Sequence, residues 1–377
     1  MHFACTQENL VQGLQLVSHI TGKNINLPVL GNVLLKTEGG SLRVSTTNLE
    51  LAVNSTIRGK IEQEGEYSVP AKLFLDYVSL LPSGKIELLV TDEGLEVRSA
   101  EQETVLKGMS ASEFPVLPKL VTHTPFEIKA EELKRAIGQV AFAVTTSESR
   151  PELMGVACFF GGVAGAGRVA FAATDSYRLA ERIISMTGDQ TEARMIVPAR
   201  AFVEVSRILG TYKDELAMPE YAQLSFTENQ MLMTFGNVEL ISRLIEGSFP
   251  DYTQLIPQNF KTEAVISRLE LQKAVRAASL FSRQGIFDIH LELEPNTGVC
   301  IVKSADQGTG KTKTVLKGKI TGEANSVMLN FRYLMDGLAA MACEDVRLRQ
   351  VDRMNPLLLT PEGSEEKYQY IVMPIRQ

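Results

Sequence analysis

Two glycine-rich stretches contain residues that could cradle a phosphate. Gly308-Thr309-Gly310-Lys311-Thr312 has the glycine, lysine and hydroxyl of a nucleotide loop. Such a loop also needs a glycine five residues before Gly310 and a helix after it, whose first N–H groups would face the anion. Position 305 is alanine, and Lys313-Thr314-Val315-Leu316-Lys317-Gly318 reads as a strand, so a hairpin is expected. Gly161 to Gly167 lies between the strand candidates Val156–Phe160 and Val169–Ala173, again without a helix, and reads as a loop. Cys5, Cys158, Cys300 and Cys343 form no C-x-x-C pair, and His2, His19, His123 and His290 are equally scattered. Neither a metal site nor a redox site follows, and buried reduced thiols in a cytoplasm are expected. A nucleophile elbow, H-E-x-x-H and a spaced carboxylate pair are all missing. No catalytic residue, metal or cofactor is therefore expected.

Charge offers a different chemistry. The net charge of −7 argues against a chain that coats nucleic acid by bulk attraction, yet leaves room for a basic stripe. Six amphipathic helix candidates (8–20, 71–81, 130–144, 199–209, 268–283 and 330–341) hold ten Lys and Arg against seven Asp and Glu. Singly, each is an ordinary solvated face. Presented together, their cations could meet phosphates without reading bases. With no tryptophan and 7% aromatics, base stacking on single strands is disfavoured.

The elements that would position these residues repeat. Tyr67-Ser-Val-Pro-Ala-Lys-Leu-Phe-Leu-Asp-Tyr77 returns as Met195-Ile-Val-Pro-Ala-Arg-Ala-Phe-Val-Glu-Val205, and more faintly as Val327-Met-Leu-Asn-Phe-Arg-Tyr-Leu-Met-Asp-Gly337. Pro70, Pro198 and Asn330 are 128 and 132 residues apart, and Lys72, Arg200 and Arg332 follow in register, then Phe74, Phe202 and Leu334. Each copy opens with apolar residues at helical spacing: Leu10, Leu14 and Val17; Leu133, Ile137 and Val140; Leu271, Val275 and Ala278. Strand-like runs such as Ser41–Ser45 and Lys85–Val90 fill the remainder. The order predicts an α+β fold of three similar domains, with antiparallel sheets covered by helices on one face. Ser112-Glu-Phe-Pro115 and Gly247-Ser-Phe-Pro250 read as linkers, which gives domains 1–121, 122–257 and 258–377. At 44% hydrophobic residues and zero mean hydropathy the chain has material for ordinary cores, and no apolar run is long enough to span a membrane.

Asn24-Ile-Asn-Leu-Pro-Val-Leu-Gly-Asn32, Ala173-Thr-Asp-Ser-Tyr-Arg-Leu-Ala180, Phe249-Pro-Asp-Tyr252 and Val372-Met-Pro-Ile-Arg376 together resemble the bacterial DNA polymerase sliding clamps, the β subunits of the replicative polymerase. The resemblance covers essentially the whole chain. It implies a head-to-tail homodimer whose six domains form a ring, with helices lining the hole and sheets outside. Such a ring slides on double-stranded DNA and tethers a polymerase. Under it, Lys23, Lys72, Lys134, Arg135, Arg200, Arg207, Lys273, Arg276 and Arg332 are candidates for the DNA-facing surface, and Leu280 and Phe281 for the dimer contact. The family also has a groove between its second and third domains for linear motifs of polymerase, clamp loader and repair proteins. Carried over by motif, it comprises Leu153, Thr174, Ser176, Tyr177, Arg178, Leu179, Pro250, Leu255, Ile286, Asn330, Tyr333, Met354, Met373, Pro374, Ile375 and Arg376. Apolar side chains would wall in a peptide anchor while Arg178 and Asn330 bond its backbone. The chain departs from many relatives at Pro151-Glu152, where an aromatic pair stands, at Gln254, where arginine stands, and at Gln377. The competing classes are a nucleotide hydrolase built on Gly308 to Thr312 and a scaffold without DNA.

Overall fold

The computed structural model describes residues 1–21, 27–118, 125–212 and 218–376. The first repeat runs β1 (His2–Thr6), α1 (Gln7–Val17), β2 (Asn32–Glu38), β3 (Ser41–Thr47), β4 (Leu51–Arg58), β5 (Lys60–Gln63), β6 (Glu66–Pro70), α2 (Ala71–Leu80), β7 (Lys85–Thr91), β8 (Gly94–Arg98) and β9 (Glu103–Leu106). The second runs β10 (Phe126–Lys129), α3 (Ala130–Val140), β11 (Gly155–Phe160), β12 (Arg168–Thr174), β13 (Arg178–Ser185), β14 (Thr187–Gly188), β15 (Ala193–Pro198), α4 (Ala199–Leu209), β16 (Tyr221–Phe226), β17 (Gln230–Phe235) and β18 (Val238–Arg243). The third runs β19 (Thr262–Ser267), α5 (Arg268–Ser279), β20 (Asp288–Glu294), β21 (Val299–Asp306), β22 (Gly310–Lys317), β23 (Lys319–Gly322), β24 (Asn325–Asn330), α6 (Phe331–Ala340), β25 (Asp345–Gln350), β26 (Leu357–Pro361) and β27 (Lys367–Val372).

The repeat extends to hydrogen-bond register. Pro70, Pro198 and Asn330 each end a strand, precede a helix, and face the first residue of the strand after the repeat's first helix: Asn32, Gly155 and Asp288. Proline there presets φ for the helix start, and Asn330 does the same work by accepting the Arg332 N–H at 2.9 Å. Phe74, Phe202 and Leu334 are fully buried, each worth about 1.5–3 kcal/mol of transfer. The expected boundary near 122 lies outside the described residues. That near 258 falls between a 3₁₀ turn ending at Leu255 and β19.

Three helices stop earlier than their apolar spacing suggests. α1 gives way to a 3₁₀ turn at Ser18–Ile20, α3 to one at Ala141–Ala143, and α5 ends at Ser279. In α1 and α5 serine is the reason: the Ser18 hydroxyl donates to Leu14 O at 2.7 Å, and that of Ser279 to Arg276 O at 2.8 Å, competing with the helical ladder.

By compactness the chain forms two units, residues 1–133 with 187–189 and 200–244, and residues 134–186 with 190–199 and 245–377. The first contains a five-stranded sheet, β5-β1-β7-β8-β9, and a nine-stranded sheet, β14-β10-β16-β17-β18-β4-β3-β2-β6. The second contains the nine-stranded β15-β11-β12-β13-β27-β26-β25-β19-β23 and the four-stranded β22-β21-β20-β24. All described pairings are antiparallel. In the first unit α1 packs on β3, β4 and α2; in the second α5 packs on β21, β22 and α6. Gly13 allows the first approach, since a Cβ there would lie 2.4 Å from Ile57. The stretch Gly308–Thr312 forms the turn and start of the β21–β22 hairpin, as expected, and Gly161–Gly167 a loop with one 3₁₀ turn.

Candidate functional site

A groove of about 740 Å³ opens in the second unit, lined by Ser176, Tyr177, Gln254, Leu255, Ile286, Asn330, Tyr333, Met354, Asn355, Pro356, Met373, Pro374, Ile375 and Arg376. Its walls are turns held by carboxylates. Asp175 Oδ1 accepts the N–H groups of Tyr177 and Arg178 at 2.9 and 3.0 Å, and Thr174 Oγ1 accepts that of Ser176 at 3.1 Å. Ser176 thereby sits at φ 77°, unusual without glycine, and Tyr177 is thrust outward with 63% of its surface exposed. Asp251 fixes the turn ahead of Leu255 through the hydroxyl and N–H of Thr253 and the amide of Gln254, bonds that lower its pKa. Asp352 presents Met354 in the same way, and the Asn355 amide together with the Met354 N–H lowers its pKa. The exposed Leu255, Ile286 and Met354 are adaptable apolar surface of the kind that receives a peptide anchor.

The C-terminal segment forms one wall. Met373 N donates to Tyr177 O at 2.9 Å and Ile375 N to Met328 O at 2.8 Å, so the strand β27 continues as a fixed edge along the groove. Tyr333 stacks near Tyr177 with ring centroids 6.4 Å apart and planes at 16°.

Five residues expected in the groove are not among those lining this cavity. Leu153 and Leu179 are buried, 1% and 2% exposed, and Leu179 belongs to an apolar cluster with Ala172, Tyr252, Leu358 and Ile371. Thr174 is buried under the turn it braces, and Pro250 does not line the cavity. Arg178 is engaged within the unit, its side chain 11% exposed. Its Nε donates to Asp175 at 2.9 Å, Nη2 to Phe142 O at 2.8 Å and Nη1 to Asp336, with the guanidinium 4.7 Å from the Tyr333 ring centre. It is an internal clamp that joins the turn to α6. Asn330 lines the groove while its Oδ1 caps α6. Asn355 and Pro356, not expected, follow Met354; the Asn-Pro pair is a turn signal that marks them.

Of the cationic candidates, Lys72, Arg135, Arg200, Lys273, Arg276 and Arg332 are exposed on helices, while Lys134 is half-buried on α3. Lys23 lies outside the described residues. Three are engaged within their own unit: Arg135 with Glu366 at 2.9 Å, Arg200 with Glu50 at 3.2 Å, and Arg332 over the Phe287 ring at 3.6 Å. Arg207 departs from the expectation of an open cation: its guanidinium donates to Glu204 and to the carbonyls of Gln15 and Leu16, pinning α4 to α1. Leu280, 72% exposed, follows α5, and the half-buried Phe281 ring would meet a Cβ at Gly310, the first residue of β22, at 3.8 Å.

Fold and groove define a class of protein, a thrice-repeated α+β chain with a peptide-sized groove; among the described residues no group of His, Cys, Asp and Glu is placed to hold a metal. Comparison with known proteins is specific. Residues 1–118, 127–251 and 253–376 match the models of the N-terminal, central and C-terminal domains of the DNA polymerase III β subunit. The β sliding clamp of a Synechocystis species is 30% identical, covering 100% of this chain and 99% of its own, and that of Bacillus subtilis is 28% identical, covering both chains completely. The crystal structure of the Bacillus subtilis clamp superposes with a TM-score of 0.92 at 28% identity, over 100% of this chain and 99% of that one. A Pseudomonas aeruginosa clamp bound to griselimycin gives 0.91 at 26%, over 100% of both chains. The chain belongs to the DNA polymerase III β-subunit family, the bacterial sliding clamps.

Proposed function

We infer that the chain works as a non-catalytic processivity clamp, a ring-shaped homodimer that encircles duplex DNA and tethers a replicative polymerase. The observation that carries this reading is the sheet inventory. Each nine-stranded sheet joins five strands of one repeat to four of its neighbour, through the seams β18–β4 and β27–β13. The first repeat leaves five strands ending on β9, and the third leaves four ending on β22. A second copy, placed head to tail, supplies the missing half at both ends and gives six repeats in a closed ring. Leu280 and Phe281, beside β22, belong to that contact.

A sliding ring must hold phosphates loosely, because each firm contact would resist movement. Lys72, Lys134, Arg135, Arg200, Lys273, Arg276 and Arg332 supply a thin sequence-independent attraction. The groove takes short linear motifs of polymerase, clamp loader and repair proteins, one or two apolar anchors seating against Leu255, Ile286, Met354 and Ile375. No described helix is long and apolar enough to cross a membrane, and the working place of such a clamp is the cytoplasm.

The test of the ring is topological. Retention on nicked circular DNA should be lost when the circle is linearised; equal retention on both forms, or nucleotide turnover by the pure protein, would reject it. For the groove, deleting residues 373–377 should abolish peptide binding by fluorescence anisotropy while leaving the dimer intact, and unchanged affinity would remove the assignment.

A further inference from the structure

The first helices of the three repeats differ in charge. α3 carries Lys134 and Arg135 and α5 carries Lys273 and Arg276, whereas α1 has neither lysine nor arginine. The exposed stripe of α1 reads Glu8, Gln12 and Gln15 and runs on, at helical spacing, to His19 in the 3₁₀ turn that follows. On that stripe only His19 can carry a positive charge.

The imidazole is held from one side. His19 Nδ1 lies 3.0 Å from Oε2 of Glu204 on α4, with the histidine side chain 66% exposed and the glutamate 4%. Both oxygens of Glu204 also accept from Arg207, whose guanidinium reaches on to the carbonyls of Gln15 and Leu16. A carboxylate engaged in this way is an acceptor only, so its contact with His19 requires the hydrogen on Nδ1. The consequence falls on Nε2. In the neutral imidazole Nε2 is then bare and is itself an acceptor, with nothing to offer a phosphate oxygen; in the imidazolium it carries the second hydrogen and donates. Charge changes in step. Glu204 and Arg207 cancel, so the trio gains a net positive charge only when His19 is protonated.

The turn bearing His19 packs on α1, α2, β3 and β4, and their other charged or titratable residues leave the imidazole to Glu204. Glu8 is at the opposite end of α1, and Arg43 of β3 pairs with Glu38 and Glu239. Arg58 ends β4, five residues past Val53, whose partner Thr46 bonds to Val17 O. Lys72, Asp76 and Tyr77 of α2 make no hydrogen bond or ion pair with His19, and Arg200, one turn before Glu204 on α4, pairs with Glu50.

We propose that His19 is a proton-dependent phosphate contact: as imidazolium, its Nε2–H donates to the backbone of the encircled duplex, and in the neutral form the contact is absent. The inference rests on the ring reading above, in which α1 and α4 line the hole. A phosphate contact reads no bases, so one per chain changes the grip on any duplex alike. Grip strengthens as pH falls through the range where histidine takes up a proton, and weakens as pH rises through it.

The test follows the labelled full-length clamp, loaded on duplex DNA tethered at both ends, by single-molecule fluorescence. Wild type should diffuse a few-fold more slowly at about pH 6 than at about pH 8, with the difference fading as salt is raised. Glutamine at position 19 can still donate to Glu204 but cannot titrate, so His19→Gln should diffuse at both pH values as wild type does at the higher one. His19→Lys, charged throughout, should diffuse at both as wild type does at the lower one. Wild-type diffusion that ignores pH, or a His19→Gln clamp that keeps the wild-type pH dependence, would overturn the contact and leave the ring standing. A wild-type chain not retained on circular DNA would overturn the ring itself, and the contact with it.

Discussion

The turn after β12 and the turn after β3 share a backbone and differ in everything a partner could touch. Asn48 Oδ1 accepts the N–H groups of Glu50 and Leu51 at 3.1 and 2.8 Å, as Asp175 does for Tyr177 and Arg178, and Thr47 braces Leu49 as Thr174 braces Ser176. Leu49 and Ser176 even share a positive φ, 78° and 77°. The side chains then diverge. Where the second unit puts the exposed Tyr177 near Tyr333, the first puts Glu50 against Arg200, 70% and 72% exposed. Where the second has the clamped Arg178, the first has the buried Leu51. Repetition conserved the scaffold of the turn, and the binding surface arose from the residues it displays.

Arg178→Ala should widen that contrast most. Removing an enclosed guanidinium strands Asp175 and the Phe142 carbonyl, at a cost of about 3–5 kcal/mol in urea unfolding, with peptide binding lost as the turn loosens. A loss below about 1 kcal/mol would show that the clamp is not structural. Tyr333→Ala should weaken a fluorescent peptide about tenfold with little change in stability, whereas Glu50→Ala should leave its affinity unchanged.

These two turns also mark where the sequence is readable. The motif around Pro70, Pro198 and Asn330 exposes the repeat because capping and core burial demand similar residues at each copy. Tyr177, Met354 and the tail enter the groove through the family resemblance, carried by motifs such as Ala173-Thr-Asp-Ser-Tyr-Arg-Leu-Ala180 and Val372-Met-Pro-Ile-Arg376. Arg178 reads as a ligand in the sequence and is a strut in the structure, since its partners Asp336 and Phe142 are distant in the chain. Leu153 and Leu179 mislead for the converse reason: a leucine beside a groove and one beneath it have the same letter. The pairing of β18 with β4 leaves no local trace at all, because antiparallel register is set by backbone groups that every residue shares.

Smaller effects sharpen the comparison further. Leu49→Gly should relieve the left-handed strain and raise stability by up to about 1 kcal/mol in a denaturant titration, because the Leu49 side chain is 48% exposed and, unlike the Ser176 hydroxyl, has no hydrogen bond to lose. Ser176→Gly should gain less, losing the hydroxyl that accepts from Arg150 at 3.1 Å. At the bottom of the scale, Arg200→Ala should shift unfolding by no more than about 0.5 kcal/mol, an exposed pair being nearly neutral, and should weaken only DNA loading.

The seams β18–β4 and β27–β13 lie within one polypeptide, so covalent connection keeps the joined edges in one molecule. Dilution cannot separate them. A joint between two chains, as in the proposed head-to-tail dimer, has no tether, so its occupancy follows the law of mass action. In such a ring permanent joints and releasable ones would stand side by side. What distinguishes them is covalent connectivity, with no need for a weaker set of contacts at the joint that opens.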